Sequence, residues 1–344
     1  MLMYKFIIIG LLLALGVPIS PAWSQVSEQV VNIYSSRHNQ TDEALYNEFT
    51  QLTGIRVNHT EASGDALIER IENEGFNSPA DVYISVGAGN MWRAENAGIL
   101  APVHSRVLDE SISNNLRHFD GLWFGFSTHT RLIIYNKALI NPMDIASYEG
   151  LANPKWHGLV CISSSAKMSN LSLLASLIAH NGTVEAEAWT KGVVHHFARS
   201  PQGGDSDQIR AVASGECGIT LASSYYYGRL MRSNSEDDKA VIATTGAIFP
   251  NQNGRGTHVD ISGVGMVATA PHPEAAVMFL EYLTSEAAQK YFANDNIDQP
   301  LVEVSLEDEA NIVLDQFIFD NINVSVFGRN QAEAQQIFDR AGWK

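Results

Sequence analysis

Three consecutive tyrosines are the most chemically suggestive residues of the chain. Tyr225, Tyr226 and Tyr227 stand in the segment SSYYYGRL, directly after the predicted strand ECGITLASS. Neighbouring side chains point to opposite faces of a strand and diverge by about 100° on a helix, so a core does not use three adjacent phenols together. A backbone that turns as it leaves a strand can instead aim consecutive side chains into one cavity, and α/β sheets bind ligands at strand ends.

Two neighbouring phenol oxygens suit a hard cation. Phenol titrates near about pH 10 in water, but metals bind deprotonated ligands and release the protons, and hard cations prefer oxygen. The tyrosine pair therefore predicts a clamp for Fe³⁺. Aromatic runs at strand ends also pack into cores or line grooves for sugars and peptides, and the residues alone leave these alternatives open.

Two other motifs contain residue types found in reactive sites. The segment SSAK, Ser164–Lys167, matches the S-x-x-K pattern of serine acyl-enzymes, but the SDN and KTG partners of that pattern are absent from the sequence. His195 and His196 are adjacent on a predicted helix and therefore do not easily share a metal ion. We expect no enzyme activity from either motif.

Two cysteines, Cys161 and Cys217, complete the reactive residues. An even number in an exported protein predicts a disulfide, and closing a loop of this length would contribute about 4 kcal/mol in the chain-entropy model. A two-cysteine metal site is the alternative, but no His or Cys lies at ligand spacing beside either residue.

The elements that must position these residues alternate between strand and helix. The segments VVNIYS, IRVNHT and ADVYIS read as strands, and they are separated by the predicted helices TDEALYNEFTQLTG and SGDALIERIENEG. A second series runs from RLIIYN through LVCIS, NLSLLASLIAH, AEAWTKGVVHHFAR and ECGITLASS to SGVGMVATA. This alternation predicts an α/β protein with parallel-rich sheets flanked by helices, in two lobes with a ligand cleft between them.

Composition restricts the partners and the compartment. The formal net charge is −16, which argues against nucleic acid and anionic membranes as partners. Residues 1–24 read as a secretory signal peptide, with Lys5 before an apolar run that is too short to span a bilayer. We therefore expect an exported, soluble protein without stable membrane insertion.

At several of these segments the chain resembles the periplasmic ferric-iron-binding proteins of bacterial ABC transporters, especially their cyanobacterial-type branch. The resemblance covers nearly all of the chain after the signal, and its specific motifs are SSRH, NSPADV, the double tyrosine and GTHVDISG. It implies a two-lobed periplasmic binding protein fold and a receptor that delivers ferric iron to an inner-membrane ABC permease. It also implies a monomer.

The resemblance implies a metal site built from His38 of SSRH and from Tyr225 and Tyr226 of SSYYYGRL. Tyr227 is expected to face away into packing. The lobes are expected to comprise residues 25–128 with 258–302, and residues 129–257 with 303–344.

The sequence departs from the family pattern at three places where relatives carry ligands or their neighbours. Asn39, Gly87 and Met168 stand there, so at most three protein ligands remain. Because Fe³⁺ binds about six donors, carbonate, citrate or water would have to complete the shell. The same fold holding an organic or oxyanion ligand is the alternative.

Overall fold

A computed structural model describes residues 29–37, 42–296, 301 and 317–344. The predicted signal peptide, His38 and Asn39 lie outside the described residues. The strands are β1 Val30–Ser35, β2 Arg56–Glu61, β3 Val82–Val86, β4 Leu100–Ala101, β5 Phe124–Asn136, β6 Ile219–Ser223, β7 Thr245–Ile248 and β8 Val259–Val267.

Helices cover the sheet. The α-helices are α1 Asp42–Thr53, α2 Gly64–Glu74, α3 Ala88–Asn96, α4 Arg106–Ser111, α5 Met168–Asn181, α6 Thr183–His195, α7 Asp205–Ser214, α8 Ser224–Arg232, α9 Glu236–Thr244, α10 Pro273–Tyr282, α11 Glu286–Tyr291, α12 Ser325–Arg329 and α13 Gln331–Ala341. A π-helix spans Phe292–Asn296, and short 3₁₀-helices span Gly75–Asn77, Asn114–Leu116, Pro142–Asp144, Glu149–Ala152 and Pro154–Trp156. Within these described parts of the chain, none of the helices is long and apolar enough to cross a membrane.

Local sequence explains how the first elements begin and end. The Ser63 hydroxyl accepts a hydrogen bond from the Ala66 amide, 3.4 Å, and so caps α2. Gly75 ends the same helix with φ 54°, a backbone conformation that residues with a Cβ rarely adopt. Most residues of the strands β1 and β3 are buried, which is why apolar residues dominate both sequences.

The sheet has the strand order β2-β1-β3-β8-β5-β6, with β4 beside β8 and β7 beside β5. Strand β1 pairs in parallel with β2 and β3, as the strand–helix alternation predicted. The named strands of the remaining pairs are antiparallel. The strands β5 and β8 supply the middle of the sheet, and each runs antiparallel to the strands beside it.

The long strand β5 connects the two halves of the sheet. It pairs with β8 as far as Thr130 and with β6 from Arg131 onward. Nearly all of its residues are buried, so both of its faces are covered by other parts of the molecule. Thr130 and Arg131, where β5 changes its pairing partner, therefore lie in the buried centre of the structure.

The cysteine prediction is confirmed. Cys161 and Cys217 form a disulfide with their Cα atoms 5.9 Å apart, and both residues are buried in one hydrophobic cluster with Leu132 and Ile134 of β5. The bridge joins the segment before α5 to the segment before β6. It therefore fixes the segment that leads through β6 into the tyrosine run against the segment that leads into α5.

Candidate metal centre

Tyr225 and Tyr226 lie in the first turn of α8, immediately after β6. Both side chains are half-buried, and their ring centroids are 4.4 Å apart. Both line one cavity of about 200 Å³. The structure thus brings the two predicted tyrosines together at the turn between a strand and a helix.

Tyr227 faces away from this cavity, as the sequence predicted. It is buried in the cluster on the other side of β6, and its hydroxyl donates a hydrogen bond to the carbonyl oxygen of Thr245, 3.2 Å. Burial raises the pKa of the Tyr227 phenol above its ordinary value. This third phenol is therefore a protonated packing residue.

Eight elements contribute to the walls of the cavity. Four of them are the starts of helices α3, α5, α7 and α8, and the others are the ends of β3 and β6 and single positions in β5 and β8. The lining residues are Val86, Gly87, His129, Lys167, Met168, Ser169, Gly204, Asp205, Ser223, Tyr225, Tyr226 and Asp260. The loop before α7 contributes Gly204.

The convergence of helix starts gives the cavity its electrostatic character. The N-terminus of a helix carries a partial positive charge and free amide groups, both of which favour negatively charged groups. Four such ends face one small space. This environment favours a small anion beside the tyrosine pair.

A buried ion pair fixes the wall beneath the tyrosines. Arg131 of β5 pairs with Asp205 of α7, and both side chains are almost fully buried. The same guanidinium donates to Asn170 Oδ1, 2.7 Å, and to Ser223 Oγ, 3.3 Å. The Asp205 carboxylate also accepts from the Ser223 amide, 2.8 Å. Arg131 thus holds the ends of β6, α5 and α7 in position.

Asp260 of β8 is a cavity residue that sequence reasoning did not single out. Its Oδ1 accepts hydrogen bonds from the amides of Ala88 and Ile261, both 2.8 Å. Its Oδ2 is buried and has no hydrogen-bond partner among the residues that the structure describes. The available signal was a carboxylate inside the apolar strand segment VDISGVGMV, since such a residue is seldom buried without a partner.

His129 is a second cavity residue outside the predicted ligand set of His38, Tyr225 and Tyr226. It lies directly opposite Asp260 in the antiparallel pairing of β5 and β8. Its ring meets that of Tyr225 nearly at a right angle, with centroids 5.6 Å apart. An aromatic nitrogen base and a carboxylate therefore stand on the cavity floor beside the tyrosine pair.

His38, the third predicted ligand, lies outside the described residues. Its described neighbour Arg37 is buried and is attached to β8, because its guanidinium donates to Ser262 Oγ, 2.9 Å. Arg37 also pairs with Asp42 at the start of α1, 3.1 Å. The motif SSRH is therefore anchored, through Arg37, two residues along β8 from Asp260.

Gly87 and Met168, two of the three departures from the family pattern, meet each other at the cavity. Gly87 has φ 95°, and a Cβ added there would come within 2.7 Å of Met168 Cγ. The methionine side chain therefore uses the space that a larger residue at position 87 would need. Neither residue offers an oxygen side-chain ligand, the kind of donor that hard cations prefer.

Ser164 of the motif SSAK and the pair His195 and His196 do not line this cavity. Ser164 Oγ accepts from the Ala166 amide, 3.3 Å, in the turn before α5. The ring of His195 contacts that of His157, with centroids 4.9 Å apart. Across the described parts of the chain, no group of three or more His, Cys, Asp or Glu residues is arranged to hold a metal ion. A metal site here therefore depends on phenol oxygens.

Comparison with known proteins agrees with this architecture. Residues 44–310 match the family model described as bacterial extracellular solute-binding protein. The chain is also 47% identical, over 92% of its own length and 88% of the relative's length, to iron uptake protein A1 of Synechocystis sp..

The chain belongs to the bacterial extracellular solute-binding protein family.

Solved structures of this family resemble the chain over most of its length. One, described as a Trichodesmium protein (IdiA, FutA) in complex with iron and citrate, is 51% identical and has a TM-score of 0.88, covering 92% of this chain and all of that one. Another, the ferric binding protein from Campylobacter jejuni, is 39% identical with a TM-score of 0.86, covering 91% of this chain and all of that one. The prediction of a two-lobed periplasmic binding protein fold is confirmed.

Proposed function

We propose that this protein is a receptor that binds ferric iron through the phenol oxygens of Tyr225 and Tyr226 and passes it to a membrane transporter. The observation that carries the proposal is the placement of both tyrosines in one small cavity at the convergence of four helix starts. Solute-binding proteins that match it closely are described as iron uptake or ferric binding proteins. The organic or oxyanion alternative has no comparable support.

His38 is the third ligand in this proposal. Its support is the anchoring of Arg37 to β8 beside the cavity together with the motif SSRH. The remaining positions of the coordination shell would be filled by an anion such as citrate or carbonate, or by water. A structure of a close relative is described as containing both iron and citrate, and the helix starts around this cavity favour a small anion.

The cellular role follows from the same comparison. The receptor would act in the periplasm, with residues 1–24 as its export signal, and the description of its family as extracellular solute-binding supports this location. Its partner would be an ABC permease of the inner membrane, which receives the iron from a monomeric receptor. The role is binding and delivery, so no catalytic step is assigned to the cavity.

The proposal is tested by adding ferric citrate to the iron-free protein and recording visible absorption. Phenolate bound to Fe³⁺ gives a ligand-to-metal charge-transfer band, so the wild-type protein should turn red. Tyr225→Phe and Tyr226→Phe each remove one oxygen and keep the ring, so each should abolish most of the band and lower the affinity at least about tenfold. Circular dichroism spectra should be unchanged.

Two results would count against this assignment. A wild-type protein that stays colourless and binds no iron would reject ferric iron as the ligand. Full colour and affinity in both single variants would show that iron binds elsewhere in the protein.

A further inference from the structure

Asp260 lines the tyrosine cavity, and one of its carboxylate oxygens is buried without a hydrogen-bond partner among the described residues. The side chain is 3% exposed, and its Oδ1 is fully used by the amides of Ala88 and Ile261. Its Oδ2 has no hydrogen-bond partner, and the carboxylate forms no ion pair with any described residue. A Cβ added at Gly87, also on the cavity wall, would lie 3.6 Å from Oδ2.

The two amide hydrogen bonds fix the direction of this free oxygen. Ala88 is the first residue of α3, so Oδ1 occupies the N-terminal end of that helix while Oδ2 is held toward the cavity. A ligand atom that is fixed before binding loses little freedom when the ion arrives. The carboxylate is thus oriented by the fold, whether or not a cation is bound.

An unpaired buried carboxylate is costly. Removing a charge from water without a partner destabilises a folded protein by several kcal/mol. The groups facing Asp260 are His129 across the strand pair, Met168 beside Gly87, and Tyr225 and Tyr226 on α8. Lys167 also lines the cavity but is exposed to solvent. None of these described groups forms an ion pair with the carboxylate.

We propose, building on the proposed function, that Asp260 Oδ2 is a ligand of the ferric ion. Two phenolates and one carboxylate supply three negative charges, which balance the charge of Fe³⁺. A hard cation prefers such oxygen donors, and its charge compensates the buried carboxylate. Asp260 thereby adds a protein donor to a site in which Gly87 and Met168 supply none.

The test is the variant Asp260→Asn, titrated with ferric citrate beside the wild-type protein. Asparagine has the same shape and keeps an oxygen for the Ala88 and Ile261 amides, but it replaces the free oxygen by an amide nitrogen. Ferric affinity should fall at least about tenfold, and the maximum of the charge-transfer band should move. The tyrosine variants should instead abolish the band.

Thermal unfolding of the iron-free protein separates a ligand from a structural residue. If Oδ2 awaits a cation, removing its charge should raise the unfolding temperature of the iron-free protein by about 2 °C or more, while the rise caused by ferric citrate should shrink. If Asp260 only caps α3, the variant should be no more stable than the wild type and should bind iron equally well.

Asp81→Asn is the matched control. Asp81 is fully buried, and it accepts hydrogen bonds from the amides of Asn32, 2.8 Å, and His272, 2.7 Å. It does not line the cavity. The control should lower the unfolding temperature and leave the ferric affinity and the band position unchanged.

The outcomes distinguish this inference from the proposed function. If the wild-type protein binds iron, and Asp260→Asn binds it with the same affinity and the same band position, only the role of Asp260 is overturned. A wild-type protein that binds no iron overturns both. Should Asp260→Asn fail to fold, Asp260→Ser, whose hydroxyl can still accept from the Ala88 amide, is titrated instead with the same criteria.

Discussion

At the scale of single residues, environment separates three identical side chains. Tyr225 and Tyr226 share a cavity at the start of α8, whereas Tyr227 is buried behind β6 and bonded to Thr245. One helical turn is enough to divide the run, because successive side chains diverge by about 100°. Two neighbours can therefore share a cavity while the third packs into the interior.

This division predicts the behaviour of Tyr227→Phe. The variant loses one buried hydrogen bond to the Thr245 carbonyl, so the free energy of unfolding should fall by about 1 kcal/mol. Iron affinity and colour should be those of the wild type. Urea denaturation and a ferric citrate titration measure the two quantities, and a loss of colour would show that Tyr227 belongs to the metal site.

At the scale of elements, the sequence predicts much of the frame and little of the cavity floor. The helix α2 could be predicted to begin after Ser63 and end at Gly75 because both signals are local. The partner of Asp260 could not be predicted, since the Ala88 amide that orients it lies 172 residues away. The antiparallel pairing of β5 with β8 is equally remote in the sequence, so His129 and Asp260 could not be placed opposite each other.

Glu149 begins the 3₁₀-helix Glu149–Ala152. The pKa of its carboxyl predicts that the stability of the protein depends on pH. Burial alone would raise the pKa of this carboxyl, but hydrogen bonds from Asn251, 2.9 Å, and Asn181, 3.1 Å, and the charge of Arg255 lower it to about 2. The folded-state pKa lies below the unfolded one. The stabilisation is therefore present above about pH 4.5 and is lost as the pH falls toward 2.

Glu149→Gln should consequently lower the free energy of unfolding at pH 7 by about 1 kcal/mol, a value reduced by solvent screening of the partly exposed carboxylate. The difference from the wild type should shrink between about pH 4.5 and pH 2. Urea denaturation across this range is the measurement. The exposed Glu69→Gln on α2 should change stability by less than about 0.5 kcal/mol throughout, and an undiminished Glu149→Gln effect at low pH would contradict the account.

At the scale of the whole molecule, two strands carry the connection between its halves. β5 changes partner from β8 to β6 after Thr130, close to the predicted lobe boundary between residues 128 and 129. The division into residues 25–128 with 258–302 and residues 129–257 with 303–344 remains a prediction. In this division the chain passes from one lobe to the other after residue 128 and again after residue 257. His129 and Asp260, on the cavity floor, lie close to these two positions, which supports the division. A ligand bound there would contact groups from each side.

The location of iron in this cavity is tested most directly by anomalous diffraction. Crystals of the protein grown with ferric citrate, measured on both sides of the iron absorption edge, would show the ion as a peak in the difference map. We expect a single strong peak within bonding distance of the Tyr225 and Tyr226 phenol oxygens and of Asp260 Oδ2. A peak bound to other residues, with both phenol oxygens remote from it, would contradict the account.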